Sequence, residues 1–287
     1  MYYTALIGKP TDHSVSHVMF EELAKIAGVK TSYKHLKINL EEDQLAAALQ
    51  SFKTLGFKGL NVTLPYKLSI MEHLDRLDEI IDELGAVNTV KIDTTLTGYN
   101  TDWQGIYLPI KDLSPSQQIK TVTIFGCGGA ARAAIYAARQ LGARDIHVIH
   151  RNNGENEKLE DLRQRADTLG ITLHDYTNIR DYVLAADLVI NTSSAGMVDN
   201  DATPFELQKL DGLDMAQKIY FEAVFKPLDT PLLSFFRSRN AQTIDGLWMM
   251  IYQGVAALSI WIDQPITVDK DQLETLHDVL EKELAYV

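Results

Sequence analysis

A single cysteine, Cys127, occurs in 287 residues, so no intrachain disulfide can form and a reducing, cytoplasmic compartment is expected. Long apolar runs are also missing. The most apolar stretch, residues 247–262, is shorter than the ~20 residues of a membrane span and contains Gln253, which predicts a core helix and no membrane contact. The first residues, Met-Tyr-Tyr-Thr-Ala-Leu-Ile-Gly, lack the basic start and apolar core of a signal peptide and read as a first strand. No cluster of Lys or Arg opposes the formal charge of -12, so the chain repels phosphate backbones and nucleic acid is not an expected partner. The eight histidines show no ligand spacing such as H-E-x-x-H, and no metal is implied. Internal repeats and low-complexity tracts are absent. An anionic small molecule stays in play only if local donors are arranged against the overall field.

What is present is an ordinary globular composition, 46% apolar and 23% charged, in a chain long enough for two domains. Short β-branched runs at residues 4–7, 32–38, 60–63 and 88–92 alternate with helical patterns at 16–27 and 42–55, the order that builds a helix-covered, mostly parallel sheet. A polar stretch with Pro109 and Ser114-Pro115-Ser116 follows, and a second alternating series places strands at 121–125, 146–149, 187–191 and 219–224. Helices are expected at 247–262 and 270–283; by analogy with related folds they return to the first domain. The expected fold is therefore two α/β domains. A substrate-binding domain with a mostly parallel sheet spans 1–104 plus 244–287, and a Rossmann dinucleotide-binding domain spans 105–243.

The second domain opens with a buried-type strand, Thr121-Val-Thr-Ile-Phe125, leading into Gly126-Cys127-Gly128-Gly129-Ala130-Ala131 and an Ala-rich helix. That context fits a dinucleotide loop: Gly126 permits the turn, Gly128 admits the pyrophosphate, and Ala131 keeps the helix close to the sheet. Free N–H groups at the helix start face the phosphates. Cys127 reads as a small filler in this loop rather than a reactive thiol. The second strand ends at His150-Arg151-Asn152, where NAD enzymes place an acid for the ribose; no acid stands there. The planar fork of Arg151 suits a 2′-phosphate, so NADP is expected with NAD as the alternative, against the plainer reading of a solvated arginine.

Four segments of the first domain carry hydroxyl, amide or charged groups at strand ends: Ser14-Val-Ser16, Asn61-Val-Thr-Leu-Pro-Tyr-Lys67, Gly85-Ala-Val-Asn88-Thr and Gly98-Tyr-Asn-Thr-Asp102. Ligands bind at that edge of open α/β sheets. Such donors suit a carboxylate and several hydroxyls. Lys67 and Asp102 supply the proton-transfer chemistry, since removing hydride from an alcohol carbon also requires removing its hydroxyl proton. Singly, Lys67 reads as a surface charge, Asp102 as a turn residue and Ser14 as a helix cap; together they point to a site.

These motifs, in this order and over nearly the whole chain, resemble the shikimate dehydrogenase family, including its quinate/shikimate branch. The pattern N-V-T-x-P-x-K appears as Asn61 to Lys67 and N-T-D as Asn100 to Asp102. The resemblance implies that Ser14 and Ser16 hold a substrate carboxylate, that Thr63, Asn88 and Gln253 meet ring hydroxyls, and that Lys67 and Asp102 form the catalytic pair. It also implies that Thr192, in Asn191-Thr-Ser-Ser-Ala-Gly-Met197, belongs to the cofactor site, with Ala223 and Gly246 near the nicotinamide. Several positions depart from the family pattern. His17 follows Ser16 in place of proline, and Phe20-Glu21 stand where His-Asn is usual. Phe225 replaces a tyrosine expected to meet substrate, and His150-Arg151-Asn152, with Gly154 nearby, replaces the usual basic segment. The implied reaction is NADP-dependent interconversion of shikimate and 3-dehydroshikimate in aromatic amino acid (chorismate) biosynthesis, by a monomer or homodimer. Two alternatives are a quinate/shikimate dehydrogenase using NAD or both cofactors, and a non-catalytic dinucleotide-binding regulator.

Overall fold

The computed structural model describes residues 1–115, 117–151, 157–198, 200 and 202–286, and divides into two compact units, residues 1–105 with 250–287 and residues 106–249. Both division points fall inside helices, Asp102–Leu113 and Gly246–Ile262. No helix among the described residues is long and apolar enough to cross a membrane.

The first unit is built on β1 (Tyr2–Gly8), β2 (Tyr33–Asn39), β3 (Gly59–Val62), β4 (Arg76–Leu77), β5 (Thr89–Ile92) and β6 (Leu96–Tyr99), in the order β2-β1-β3-β5-β6-β4. β1 pairs in parallel with both β2 and β3, setting Ile7 opposite Ile38 and Val62. β5 is the exception to the parallel pattern, antiparallel to both β3 and β6. Between β5 and β6 the reversal is local: Asp93 Oδ1 accepts from the Thr95 backbone N–H at 2.8 Å, an Asx turn. Helix Ser16–Ile26 buries Met19, Phe20, Leu23 and Ala24, and helix Leu45–Thr54 buries Leu45, Leu49 and Phe52, the spacings of a single helical face. Burying each large side chain contributes roughly 1.5–3 kcal/mol. Trp261 joins the C-terminal helices to the sheet by donating its indole N–H to the Val90 carbonyl at 3.0 Å.

The second unit contains β7 (Thr121–Phe125), β8 (Asp145–Ile149), β9 (Ile171–His174), β10 (Leu188–Asn191), β11 (Ile219–Glu222) and β12 (Gln242–Ile244). The order is β12-β11-β10-β7-β8-β9 and every pairing is parallel. Numbered within the unit, this is the 3-2-1-4-5-6 arrangement of dinucleotide-binding sheets, with its crevice at the carboxyl ends beside β7. β10 and β11 are buried along their whole length, as strands covered on both faces must be, which explains their unbroken apolar runs.

β4, β6, β9 and β12 do not stand out in the sequence. β4, β9 and β12 are sheet edges of two to four residues, β4 exposed throughout and the other two partly covered, and so carry neither a clean alternation nor a continuous apolar run. β6 contains Gly98 and runs straight into the polar Asn100-Thr-Asp102 segment, which masks it as a loop.

Candidate active site

In the first unit, β3 ends at Val62, and the cis Leu64–Pro65 bond follows closely before Lys67. The Lys67 carbonyl accepts from the Val87 N–H at 2.8 Å, which fixes Lys67 beside Asn88. Asp102 begins the helix Asp102–Leu113, where unpaired N–H groups favour an anion. Lys67 Nζ and Asp102 Oδ2 are 2.5 Å apart. The lysine side chain is 18% exposed and the aspartate 7%, so the ammonium remains reachable while the carboxylate behind it does not.

Asn88 organises the rest. Its Nδ2 donates to Asp102 Oδ1 at 2.7 Å, and its Oδ1 accepts from the Thr101 N–H at 2.7 Å and Thr89 Oγ1 at 2.9 Å. Asn100 reinforces the turn, donating to the Ala86 carbonyl and accepting from the Asp102 N–H. Gln253 reaches the same cluster: Thr101 Oγ1 donates to its Oε1 at 3.3 Å, while its own Nε2 donates to the Met250 carbonyl. Both carboxylate oxygens of Asp102 are thus engaged, and the lysine is held in one place.

The serines are buried, Ser14 and Ser16 alike. Ser14 is not the N-cap of helix Ser16–Ile26, a position held by Val15 without a side-chain bond; its Oγ instead accepts from the Ser16 N–H at 3.2 Å. Ser16 Oγ and Asn61 Oδ1 are buried with no hydrogen-bond partner in the protein. A buried polar atom left unpaired costs roughly 1–3 kcal/mol, which marks both as places where a ligand or water completes the structure. Lys37 Nζ donates to the Asp12 and Ser14 carbonyls at 2.9 and 3.1 Å, bringing a cation to the serine turn against the negative field of the whole chain. Burial first, and then this ammonium, lower the pKa of His17 beside it. Thr63 is half-buried, its backbone N–H tied to the Ile7 carbonyl.

The second unit presents a separate set. Gly126 has φ +112, and an added Cβ would lie 2.9 Å from Thr192 Oγ1 and 3.1 Å from the Ser193 nitrogen, so only glycine fits. Thr192 is drawn in by its own bonds, N–H and Oγ1 both donating to the Phe125 carbonyl. Gly128 caps helix Gly129–Gln140, and no atom stands within 4 Å of where its Cβ would be, leaving room for a phosphate over the first N–H groups of the helix. Cys127, Gly129 and Ala130 are half-buried in this loop and Ala131 is buried on the sheet side. At the end of β8, His150 is buried with Nδ1 3.1 Å from the Arg151 carbonyl, while Arg151 is exposed. Asn152, the third residue expected there, lies outside the described residues. This open loop, helix start and exposed guanidinium fit a dinucleotide carrying a 2′-phosphate.

Ala223 and Phe225 follow β11, both half-buried, and Gly246 is buried against Val224, whose carbonyl oxygen would be 2.4 Å from an added Cβ. Sequence reasoning missed Asn61, Thr101 and Lys37 as individual members of the first cluster and Glu222 in the second unit. Asn61 and Thr101 lay inside quoted motifs; Lys37 and Glu222 carried no signal without the fold.

Known proteins give an independent view. Residues 6–90 match the family model described as the shikimate dehydrogenase substrate binding domain. The chain is 32% identical to a shikimate dehydrogenase (NADP(+)) of Prochlorococcus marinus (strain MIT 9515), covering 98% of each chain. Among solved structures it is similar to a shikimate dehydrogenase in complex with NADP+, with TM-score 0.84, 28% identity and 99% and 96% of the two chains covered. It is also similar to a quinate dehydrogenase from Corynebacterium glutamicum in complex with NAD, with TM-score 0.84, 26% identity and 98% and 99% covered.

Proposed function

The chain belongs to the shikimate dehydrogenase family, and from that membership we propose that it catalyses the reversible, NADP-dependent interconversion of shikimate and 3-dehydroshikimate in aromatic amino acid biosynthesis. NADP, when bound, supplies or takes the hydride. Every other requirement falls to the protein. In the oxidation direction the substrate hydroxyl loses its proton to Lys67 as the carbon loses hydride; in the reduction direction the Lys67 ammonium returns that proton to the ketone oxygen. Asp102 orients the lysine and Asn88 orients Asp102. Ser14 and Ser16 receive the carboxylate, assisted by Lys37, and Thr63, Asn88 and Gln253 meet ring hydroxyls. Gly126, Cys127, Gly128, Gly129, Ala130, Ala131 and Thr192 cradle the pyrophosphate, and His150, Arg151 and Asn152 receive the 2′-phosphate. Ala223 and Gly246 border the nicotinamide. Residues 1–104 with 244–287 act as the substrate-binding domain and 105–243 as the dinucleotide-binding domain. The lone cysteine supports a cytoplasmic setting.

The observation that carries this reading is the 2.5 Å Lys67–Asp102 pair with Asn88 on the second carboxylate oxygen. Lys67→Ala should lower kcat by about 10²–10⁴ with little change in KM, measured by nicotinamide absorbance with shikimate and NADP. Unchanged turnover would remove Lys67 from the reaction.

A second reading, a quinate/shikimate dehydrogenase using NAD or both cofactors, is favoured by Phe225 and by the likeness to the quinate dehydrogenase. Turnover of both acids with both cofactors separates the two readings; a strong preference for quinate with NAD would select the second. A dinucleotide-binding regulator without catalysis has no use for the Lys67–Asp102 pair.

A further inference from the structure

Glu222, the last residue of β11, is fully buried and both its carboxylate oxygens are saturated. Oε1 accepts from Asn191 Nδ2 at 2.8 Å and the Val224 N–H at 3.1 Å, and Oε2 accepts from Tyr220 Oη and Thr230 Oγ1, each at 2.8 Å. The four partners are neutral and come from three segments. Asn191 ends β10 and also shapes the next turn, accepting from Ser193 and donating to the Ala195 carbonyl. Val224 lies in the turn after β11 and is the residue against which Gly246 packs. Thr230 is the N-cap of helix Pro231–Arg237, its Oγ1 accepting from the Leu233 N–H. All three segments stand at the carboxyl edge of the sheet on the β10–β11 side of β7. In dinucleotide-binding sheets the pyrophosphate sits at the β7 loop and the nicotinamide half crosses to this side.

We propose that Glu222 is a positioning residue for hydride transfer: its carboxylate ties the turns after β10 and β11 into one rigid edge for the nicotinamide half of the dinucleotide. The proposal rests on the dehydrogenase reading above. An apolar residue would fill the space, but only a group with two acceptor oxygens gathers four donors from three segments. The donors also fix the working charge state. The two N–H donors at Oε1 cannot reverse, so a proton must enter at Oε2, where Tyr220 and Thr230 both donate. One of those two hydroxyls must then turn its own proton out of the cage in order to accept from the new carboxylic acid O–H. Protonation therefore loosens the edge. Burial pushes the Glu222 carboxyl up to about 7, and its hydrogen bonds oppose this, so the change of state falls near neutral pH. The titratable group facing it is Tyr220 on the same strand; the groups from β10 and the helix cap are an amide and a hydroxyl.

The test measures the single-turnover rate of reduced-nicotinamide formation with shikimate and NADP between acid and alkaline pH. It compares the wild type, Tyr220→Phe and Glu222→Gln. Tyr220→Phe keeps the ring, which stacks 4.3 Å from Phe236, and removes one donor, so it isolates the cage without emptying the core. In the wild type the rate should rise as pH passes neutral. Tyr220→Phe should move that step upward in pH, because the anion has lost a donor. Glu222→Gln should remove the part of the step that Tyr220→Phe moves and lower the rate by about tenfold or more, the cost of a small misplacement of reacting groups. Binding of 2′,5′-ADP, a probe of the adenosine half, should stay within about twofold in both variants, since the probe never reaches this edge. A step that stays at the same pH in Tyr220→Phe overturns the proposal, and so does equal loss of 2′,5′-ADP binding and rate. If Glu222→Gln does not fold, the Tyr220→Phe comparison decides alone. A wild type with no turnover on any cyclic hydroxy acid sinks the dehydrogenase reading and this inference with it; a turning-over wild type with an unmoved step sinks only the inference.

Discussion

Among the described residues each unit buries one carboxylate at the polar end of its sheet, and the two are held in opposite ways. Asp102 meets an ammonium, Lys67 Nζ, at 2.5 Å, with Asn88 on the other oxygen. Glu222 meets four uncharged donors. An ion pair can exchange a proton with whatever reaches it, and Lys67 is still partly exposed; a cage of amide and hydroxyl groups has no proton to give and instead holds backbone in place. The same side-chain chemistry thus serves transfer in one unit and rigidity in the other.

Breaking the pair in the first unit should have the largest effect on stability. Asp102→Leu leaves the Lys67 ammonium without its counter-ion and Asn88 Nδ2 without its strongest acceptor. Removing one partner of a buried ion pair costs roughly 3–5 kcal/mol, and the partial exposure of Lys67 sets the expectation near the lower figure. Denaturant unfolding at neutral pH measures it, and a loss below about 1 kcal/mol would class the pair with surface salt bridges.

The cage should show itself through pH. The folded-state pKa of Glu222 is raised from 4.5 to about 7 by burial, so the folded protein holds this proton more tightly than the unfolded chain. The stability it contributes is fully present below pH 4.5 and is lost as pH rises through about 7. The expected fall is about 3 kcal/mol, taken at 1.36 kcal/mol per unit. Denaturation midpoints of wild type and Glu222→Gln across this range check it: the fall should vanish in the variant, and a wild-type stability that rises across the window would contradict the sign. Stability then falls over the same interval in which the rate is expected to rise, so the carboxylate is held in its ionised form at some cost to the fold.

How much of this was legible beforehand follows from where each group lies in the chain. The Gly126 loop and the Asn61–Lys67 and Asn100–Asp102 motifs concentrate their information within a few residues, and local chemistry alone marks them. The buried strands β1, β7, β10 and β11 also declare themselves through apolar runs. Edge strands β4, β9 and β12 do not, because a short strand that is exposed or only partly covered needs no distinctive pattern. Lys37 and Glu222 were invisible for a different reason. Their partners lie 23 and 31 residues away, Ser14 for one and Asn191 for the other, and nothing short of the β1–β2 and β10–β11 pairings brings them together.

A smaller effect is expected where the two units' strategies depend on a turn rather than a charge. Gly126→Ala forces a Cβ to 2.9 Å from Thr192 Oγ1 at φ +112, so Thr192 must release the Phe125 carbonyl or the loop must shift. The cost should be roughly 1–3 kcal/mol of stability, the usual range for one strained backbone position. Calorimetry of NADP binding should show weakening at least as large, while the Lys67–Asp102 cluster, built wholly in the other unit, is left intact.

The finest adjustment concerns Phe225, the residue directly after Val224, whose N–H Glu222 holds. The resemblance to this family implies a tyrosine at this position, and phenylalanine lacks its hydroxyl. Phe225→Tyr should lower KM for the preferred acid by up to about fivefold, since one recovered hydrogen bond contributes about 1 kcal/mol, and should leave kcat within about threefold. Steady-state kinetics with shikimate and quinate in parallel give the sharper outcome. A gain confined to one acid identifies which of the two is the preferred substrate. Equal gains place the hydroxyl against the carboxylate or another group the two acids share. If the same substitution made in a Glu222→Gln background gives no gain on either acid, the turn carrying residue 225 needs the carboxylate to hold it, and the contrast between transfer and rigidity extends to substrate choice.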